Sequence, residues 1–263
     1  MRHNKFLDNL CLILVFSFLF LPILVLILFS FNTSEMNIVF EGFTLHWYKD
    51  LFSNRALIEA LINTLIVAVV STIISTVIGT ISAYALHKYN FKLKKLINEL
   101  IYIPVVIPEI VLGISLLCIY TLINLELGMA TLILAHISFS LPFVIINVRS
   151  VLEDMDPNLE KAASDLGANK IKTFFYIVIP SLMPGILSGA QLAFTLSLDD
   201  VVISYFTSGP GSNTLPLHIF SMIKTGVTPD VNALISLMLL VIFITLTITT
   251  LINIRKMKGE IER

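Results

Sequence analysis

The sequence has few charged residues: Asp, Glu, Lys and Arg together make up 13% of its 263 residues. Water-soluble domains carry about 25% charged residues, so this chain does not have the composition of a soluble globular protein. Hydrophobic residues make up 56% of the chain, and the mean hydropathy is +0.91. The composition therefore predicts a protein embedded in a lipid bilayer. The net charge of −1 gives no indication of a nucleic-acid partner.

The sequence also lacks the residue patterns of common catalytic and metal sites. Its two cysteines, Cys11 and Cys118, lie in separate apolar runs, whereas disulfide frameworks and metal sites need clustered thiols. No Gly-x4-Gly-Lys-Ser/Thr loop is present to bind ATP phosphates, and His-Glu-x-x-His, Gly-x-Ser-x-Gly and Cys-x-x-Cys are missing too. We therefore expect a chain that is not an enzyme and binds no cofactor or metal. Any energy from a nucleotide must arrive through a partner.

Six apolar runs are each long enough to cross a bilayer as a helix, at roughly 1.5 Å per residue. Each is apolar around most of its circumference, unlike a solvated surface helix. The runs are Leu10–Phe31, Ala56–Leu86, Leu96–Leu122, Leu127–Val148, Met183–Phe206 and Val231–Ile254. The first ends without the small-residue cleavage site of a signal peptide, so we expect it to be retained. The predicted fold class is an all-α polytopic membrane protein with six transmembrane helices.

The distribution of lysine and arginine predicts the orientation. If the N-terminus is cytoplasmic, 14 of the 17 basic residues fall in cytoplasmic segments, and Lys49, Arg55 and Lys224 fall outside. The cytoplasmic set is Arg2, Lys5, Lys88, Lys92, Lys94, Lys95, Arg149, Lys161, Lys170, Lys172, Arg255, Lys256, Lys258 and Arg263. Because cytoplasmic loops carry the excess of basic residues, we expect both termini in the cytoplasm.

The predicted cytoplasmic loop between the fourth and fifth spans has the signals of two short helices. Asp156 can cap a helix whose first residue is Pro157, and Gly167 suits the left-handed position that closes it. A second helix is predicted over residues 169–179, ending before Pro180. Taken alone, this pattern also fits an amphipathic connector that lies on the membrane surface.

The same loop resembles the coupling motif of ABC-importer permeases, which reads Glu-Ala-Ala, three residues, Gly, nine residues, Ile, one residue, Leu-Pro. The matching residues are Ala162, Ala163, Gly167, Ile177 and Pro180. Lys161 replaces the usual Glu and Ile179 the usual Leu, while Glu160, one residue earlier, is a candidate for the acidic role. The resemblance implies a coupling helix, between spans 4 and 5, that docks in a groove of an ATPase subunit.

The resemblance extends over nearly the whole chain and favours the C subunits of spermidine/putrescine importers. It rests on FTLHWYKDLF (43–52), NTLIVAV (63–69) and the segment from LSLDDVV to PDVNAL (196–234). It implies a permease of the bacterial inner membrane that pairs with a second homologous permease of the B type. The other implied partners are two nucleotide-binding ATPase subunits, which use the ATP, and an extracytoplasmic polyamine-binding protein. The expected regions are a first helix with an extracytoplasmic loop (1–55), a permease core (56–254) and a cytoplasmic tail (255–263).

Three carboxylates lie inside the apolar runs. Asp199 and Asp200 occur in the fifth run, and Glu109 lies near the middle of the third. An ionisable group at the centre of a bilayer costs at least ~2.5–3.5 kcal/mol, so it should face protein or a water-filled path. Carboxylates spaced along a path suit the ammonium groups of a polycation, whereas the alternative is that they bind neighbouring helices.

Polar residues form a stripe on the fifth run. Ser188, Gln191, Thr195 and Asp199 follow steps of three, four and four residues and share one helical face. Asp200 lies about 100° away around the helix, so both carboxylates cannot point into one narrow path. We expect this stripe to line the substrate path, with Asp200 and Glu109 as further candidates for contact with the substrate. His136 in the fourth run is interpreted as an interhelical hydrogen-bonding residue.

Other functions remain open at this point. A related importer could carry ferric iron, thiamine or a phosphonate, and a different class would be a channel or structural membrane subunit without an ATPase. The coupling motif disfavours a channel, and the carboxylates disfavour an anionic solute because like charges repel.

Overall fold

The computed structural model describes residues 5–34, 39–222 and 228–261, which are predominantly helical. The helices are α1 (Lys5–Phe29), α2 (His46–Ser53), α3 (Arg55–Lys88), α4 (Lys94–Val106), α5 (Glu109–Leu122), α6 (Met129–Asp154), α7 (Leu159–Asp165), α8 (Lys170–Thr173), α9 (Ile179–Asp199), α10 (Val202–Thr207), α11 (Leu215–Ser221) and α12 (Pro229–Ile261). A π-helical segment, Phe174–Val178, joins α8 to α9. The predicted all-α class is confirmed.

Four helical stretches are long and apolar enough to cross a membrane: Asn9–Phe29, Arg55–Lys88, Met129–Asp154 and Lys170–Asp199. The bent pair of α4 and α5 can form one further, broken span, and Pro229–Ile244 is a shorter apolar helix in the region of the sixth predicted run. The chain is thus a polytopic helical membrane protein, and the count of six spans stays a prediction.

The third predicted span, Leu96–Leu122, is wrong as a continuous helix. The axes of α4 and α5 differ in direction by 112°. Pro108 stands at the cap of α5, and Ile107 before it is extended, with φ −71° and ψ 137°. Proline disfavours a helical conformation in the residue before it and has no N–H to continue the helical hydrogen bonds. Pro108 therefore breaks this span, whereas Pro104 lies inside α4.

The fifth predicted span, Met183–Phe206, has different bounds in the structure. The helical stretch begins at Lys170 and ends at Asp199. Asp200 is extended, with φ −65° and ψ 128°, and α10 begins two residues later. The apolar run is therefore two helices separated by a sharp break, which hydropathy alone does not detect.

The chain divides into two compact units, residues 59–220 and the remainder. In the unit that contains both termini, α12 packs against α2 and α1. The Asn54 side-chain amide donates to Asp230 Oδ2 at 2.7 Å, and the indole N–H of Trp47 donates to the Asn32 carbonyl at 2.6 Å. These polar contacts hold α2 against the adjoining loop and the start of α12.

The core of the other unit, residues 59–220, lies among α3, α6 and α9. Its fully buried members include Ala83, Val144, Val148 and Leu182. Small residues let α6 and α9 approach closely, because a Cβ at Gly189 would lie 3.0 Å from Val144 Cα. Close backbone approach at small residues is typical of helix packing in membranes.

Candidate functional site

The predicted coupling loop forms a short helix, α7, on the connection between α6 and α9. Its predicted start at Pro157 is wrong, because α7 begins at Leu159 and Asn158 is its cap. Asp156 does not cap the helix; its Oδ1 accepts the N–H of Asn158 at 2.9 Å. An aspartate that bonds the backbone two residues ahead forms an Asx turn, so Asp156 shapes the entry to α7 from outside the helix.

The end of α7 confirms the expected conformation of Gly167. Its φ is +85°, its N–H donates to the Ser164 carbonyl at 2.9 Å, and the N–H of Ala168 donates to the Ala163 carbonyl at 3.0 Å. This pair of hydrogen bonds is a Schellman motif, in which a left-handed residue satisfies the last carbonyls of a helix. The chain therefore leaves α7 in a direction that glycine adopts without strain.

The second helix of the loop differs from its prediction. It was expected to end before Pro180, yet α8 continues through the π-helical segment into α9 without interruption. Asn169 caps α8 by accepting the N–H of Lys172 at 2.8 Å. Pro180 is the second residue of α9, directly after the π-helical segment. The predicted coupling loop is thus joined to α9 by continuous helix, with Ile177 inside the π-helical segment.

Glu160 is the residue of α7 with the most polar contacts inside the chain. The Tyr84 hydroxyl donates to both of its carboxylate oxygens at 3.1 Å, and the Lys88 ammonium forms an ion pair with Oε2. Ala163 is buried, whereas Lys161 and Ala162 are exposed. Within this motif, Glu160 and Ala163 face the body of the chain and Lys161 faces away from it.

The polar stripe of the fifth run lies on the exposed side of α9. Ser188, Gln191, Thr195 and Asp199 are all exposed, and the Thr195 hydroxyl donates to the Gln191 carbonyl at 2.9 Å. Asp199 is the last residue of α9. These residues share one face, as the sequence predicts; their contact with a substrate stays a prediction.

Asp200 lies in a different environment from Asp199, although the two are adjacent in sequence. It is buried, and its carboxylate caps α10 by accepting the N–H groups of Ile203 at 3.1 Å and Ser204 at 2.7 Å. The Ser204 hydroxyl donates to the same carboxylate at 2.8 Å. Its predicted contact with substrate stays a prediction, and the observed contacts are those of a helix cap.

His136, on α6, connects the Asp200 cap of α10 to α9 and, through α9, to α3. Its Nδ1 lies 2.7 Å from Ser197 Oγ, and its Nε2 lies 3.1 Å from Ser204 Oγ and 3.5 Å from Asp200 Oδ2. Ser197 Oγ in turn lies 3.2 Å from Ser71 Oγ on α3. His136 is therefore an interhelical hydrogen-bonding residue, as expected. Sequence reasoning missed its acidic partner, which is 64 positions away and is brought close by the break after α9.

Glu109 is the first residue of α5, directly after the bend. Its predicted place within a continuous third span is therefore wrong, since it lies at a helix start. It is exposed and close enough to Asp199 and Asp200 for electrostatic interaction. A Cβ at Gly113 would lie 2.7 Å from the Phe206 ring, so α5 packs directly on α10. The bend thus brings the third carboxylate towards the end of α9.

Among the residues that the structure describes, no group of three His, Cys, Asp or Glu side chains could hold a metal ion. The arrangement consists of an exposed polar face on α9 and a short helical loop between α6 and α9.

Two solved structures share the fold of this chain at low sequence identity. A bacterial ABC transporter involved in the import of the acidic polysaccharide alginate matches with a TM-score of 0.74 at 15% identity, over 95% of this chain and 97% of that chain. The MetNI methionine ABC transporter matches with a TM-score of 0.56 at 18% identity, over 73% and 89% of the two chains. The chain therefore shares its fold with chains of these ABC transporters.

The chain belongs to the family described as the inner membrane component of binding-protein-dependent transport systems, whose family model matches residues 75–256. The spermidine/putrescine transport system permease protein PotC of Haemophilus influenzae is 38% identical over 94% of this chain and 96% of that protein. PotC of Escherichia coli K12 is 40% identical over 88% of each chain. The putrescine transport system permease protein PotI of the same organism is 38% identical, over 87% of this chain and 84% of that protein. The chain is thus a multi-pass inner-membrane transport component and not an enzyme.

Proposed function

We propose that this chain is a permease subunit of an ATP-driven ABC importer for polyamines, spermidine and putrescine, and forms half of the translocation path. The observation that carries the substrate class is the exposed α9 stripe ending at Asp199. A polyamine loses water when it enters the membrane, and a fixed carboxylate replaces part of that solvation. Permeases named for spermidine and putrescine are similar over most of this chain, which supports the same substrate class.

The partners follow from the class. We expect a second homologous permease, two ATPase subunits that bind and hydrolyse the ATP, and an extracytoplasmic polyamine-binding protein. One solved relative in fold is a bacterial alginate ABC transporter in complex with a pentasaccharide-bound periplasmic protein, with a TM-score of 0.66. The coupling loop, comprising α7, Gly167 and α8, is the surface that we assign to the ATPase, because it is exposed and ordered by its own hydrogen bonds.

The orientation is part of the same proposal. Both termini lie in the cytoplasm, because this places 14 of the 17 basic residues on that side. The coupling loop then faces the cytoplasm, where ATPase subunits are found, and Asp199 lies at the opposite end of the Lys170–Asp199 helix from it.

Transport by the assembled complex tests the proposed function. The chain is produced with its second permease, ATPase and binding protein and reconstituted into vesicles, and uptake of labelled spermidine and putrescine is measured with and without ATP. We expect ATP-dependent uptake of one or both, reduced by the other polyamine and not by thiamine. Saturable uptake of thiamine or ferric iron in place of polyamines would reject the substrate assignment, and uptake without ATP would favour a channel.

Asp199→Asn tests the proposed path. The variant keeps the shape of the side chain and removes its charge, and a hydrogen bond to a charged group contributes about 1.5–3 kcal/mol. Uptake should therefore fall about tenfold or more while assembly is unchanged. The matched control is Asp50→Asn, which removes a carboxylate on α2 that pairs with His46. Normal uptake by Asp199→Asn, together with loss of the complex on purification, would show an interhelical anchor instead.

A further inference from the structure

The end of α3 carries two polar side chains that contact the coupling helix. Tyr84 and Lys88 are one turn apart on α3, and both contact Glu160 on α7. Lys88 Nζ also donates to the Tyr84 hydroxyl at 2.5 Å, and it lies 5.0 Å from the centroid of the Tyr84 ring. Each of the three side chains therefore contacts the other two.

This cluster is partly withdrawn from water. The side chains of Lys88 and Glu160 are 31% and 23% exposed. A fully exposed ion pair contributes little to stability, whereas a partly buried one interacts more strongly because the local dielectric constant is lower. Removing one partner would leave the other partly buried without its ion pair.

The cluster is also connected to the apolar core. The Tyr84 ring lies 5.0 Å from the ring of Phe174, the first residue of the π-helical segment. Tyr84 and Phe174 both pack against the core cluster that contains Val178 and Leu182. The helix that continues from this segment ends at Asp199, so the packing is continuous from α7 to α9.

We propose that Tyr84, Lys88 and Glu160 form an internal latch that positions the coupling helix on the body of the permease. The latch rests on the proposed function and deepens it. Because the Glu160 carboxylate is paired with Tyr84 and Lys88 of the same chain, the side chain that contacts the ATPase is that of the neighbouring Lys161, which is exposed. When the ATPase displaces α7, α3 moves with it because the latch links the two helices. The displacement also reaches α9, because Tyr84 on α3 packs against Phe174 in the segment that continues into α9. Without the latch, α7 can still bind the ATPase while its displacement reaches α9 incompletely.

Charge reversal separates the latch from direct docking of Glu160. In the assembled four-component transporter, Lys88→Glu and Glu160→Lys are each expected to lower uptake about tenfold or more, because each places like charges in contact. The double variant restores an opposite pair and should recover most of the uptake. If Glu160 instead met the ATPase, the double variant would be no better than Glu160→Lys. That result would overturn the latch, as would wild-type uptake by both single variants.

Three further measurements keep the test decisive. Lys94→Glu is the matched control, because Lys94 lies on α4 and bonds Asn90 outside the latch; it should transport normally. If a reversal variant fails to insert, the neutral pair Lys88→Met and Glu160→Gln decides the question, since latch partners give non-additive losses and independent sites give additive ones. The amount of transport per ATP hydrolysed should fall in the single variants, which loss of folded protein alone would not cause.

The latch and the proposed substrate can fail separately. ATP hydrolysis stimulated by the liganded binding protein reports coupling whichever solute is carried. If polyamines are not transported but this stimulation is lost in the single variants and restored in the double variant, the latch holds and the substrate assignment is wrong. If polyamines are transported and the double variant is not restored, the latch is wrong and the substrate assignment holds.

Discussion

Gly167 offers a test of how much the coupling loop depends on one backbone conformation. Its φ of +85° lies in the left-handed region, and a Cβ built at this position would meet nothing within 4 Å. A substitution therefore introduces backbone strain without a steric clash. Three variants grade that strain: Gly167→Asn, Gly167→Ala and Gly167→Val, because asparagine tolerates the left-handed region and a β-branched residue resists it most.

The size of the effect follows from the cost of that conformation. An ordinary side chain in the left-handed region costs about 1–2 kcal/mol, which changes the ratio of two conformations by a factor of about 5–30. The Schellman hydrogen bonds at Ser164 and Ala163 are lost when the loop relaxes. Gly167→Val should therefore reduce transport about tenfold or more, Gly167→Ala less, and Gly167→Asn least.

The assay separates insertion from coupling. Membrane-inserted protein is quantified first, then the ATPase that co-purifies with it, and then uptake of labelled spermidine. Gly211 provides the matched control, because its φ is +75°, its Cβ would also meet nothing within 4 Å, and it lies outside the coupling loop. Gly211→Val should leave the co-purified ATPase unchanged. Equal transport by Gly167→Val and Gly167→Asn would refute the reasoning, since backbone strain would then have no effect on coupling.

Two further predictions concern topology and the buried aspartate. Reporter fusions at Gly211 and at Glu262, which lies outside the described residues, should report opposite sides of the membrane; the same side for both would reject the six-span topology. Asp200→Asn should lower the thermal unfolding midpoint of the complex, because the cap of α10 loses charge-assisted hydrogen bonds worth about 1.5–3 kcal/mol each, while folded protein transports normally. Loss of uptake at unchanged stability would instead place Asp200 in contact with substrate.

Features that depend on neighbouring residues could be predicted from the sequence. The left-handed Gly167 is an example, since the end of a short polar helix is set by local hydrogen bonding. The shared face of Ser188, Gln191, Thr195 and Asp199 follows from helical periodicity. The all-α class follows from apolar runs whose backbone must satisfy its own hydrogen bonds in lipid.

Features that depend on packing between distant segments could not be predicted in this way. The partners of Glu160 are on α3, more than 70 positions earlier, and no local pattern marks Tyr84 or Lys88 as its neighbours. The bend at Pro108 could not be predicted either, because proline at a helix interior is compatible with both a kink and a break. Its 112° angle depends on the packing of α5 against α10.

The pair Asp199–Asp200 shows why counting charges along a sequence overstates the charge available to a substrate. The two carboxylates are consecutive, yet the helix ends between them, so Asp199 is exposed at the end of α9 and Asp200 is used as the cap of α10. Under the proposed function, this chain therefore contributes Asp199 and Glu109 to the path, with a spacing set by the bend before α5. A polyamine carries several ammonium groups along its length, and each requires compensation as it leaves water. We expect the remaining compensation to come from the polar oxygens of the α9 stripe and from the second permease, so that the path is complete only in the assembled transporter.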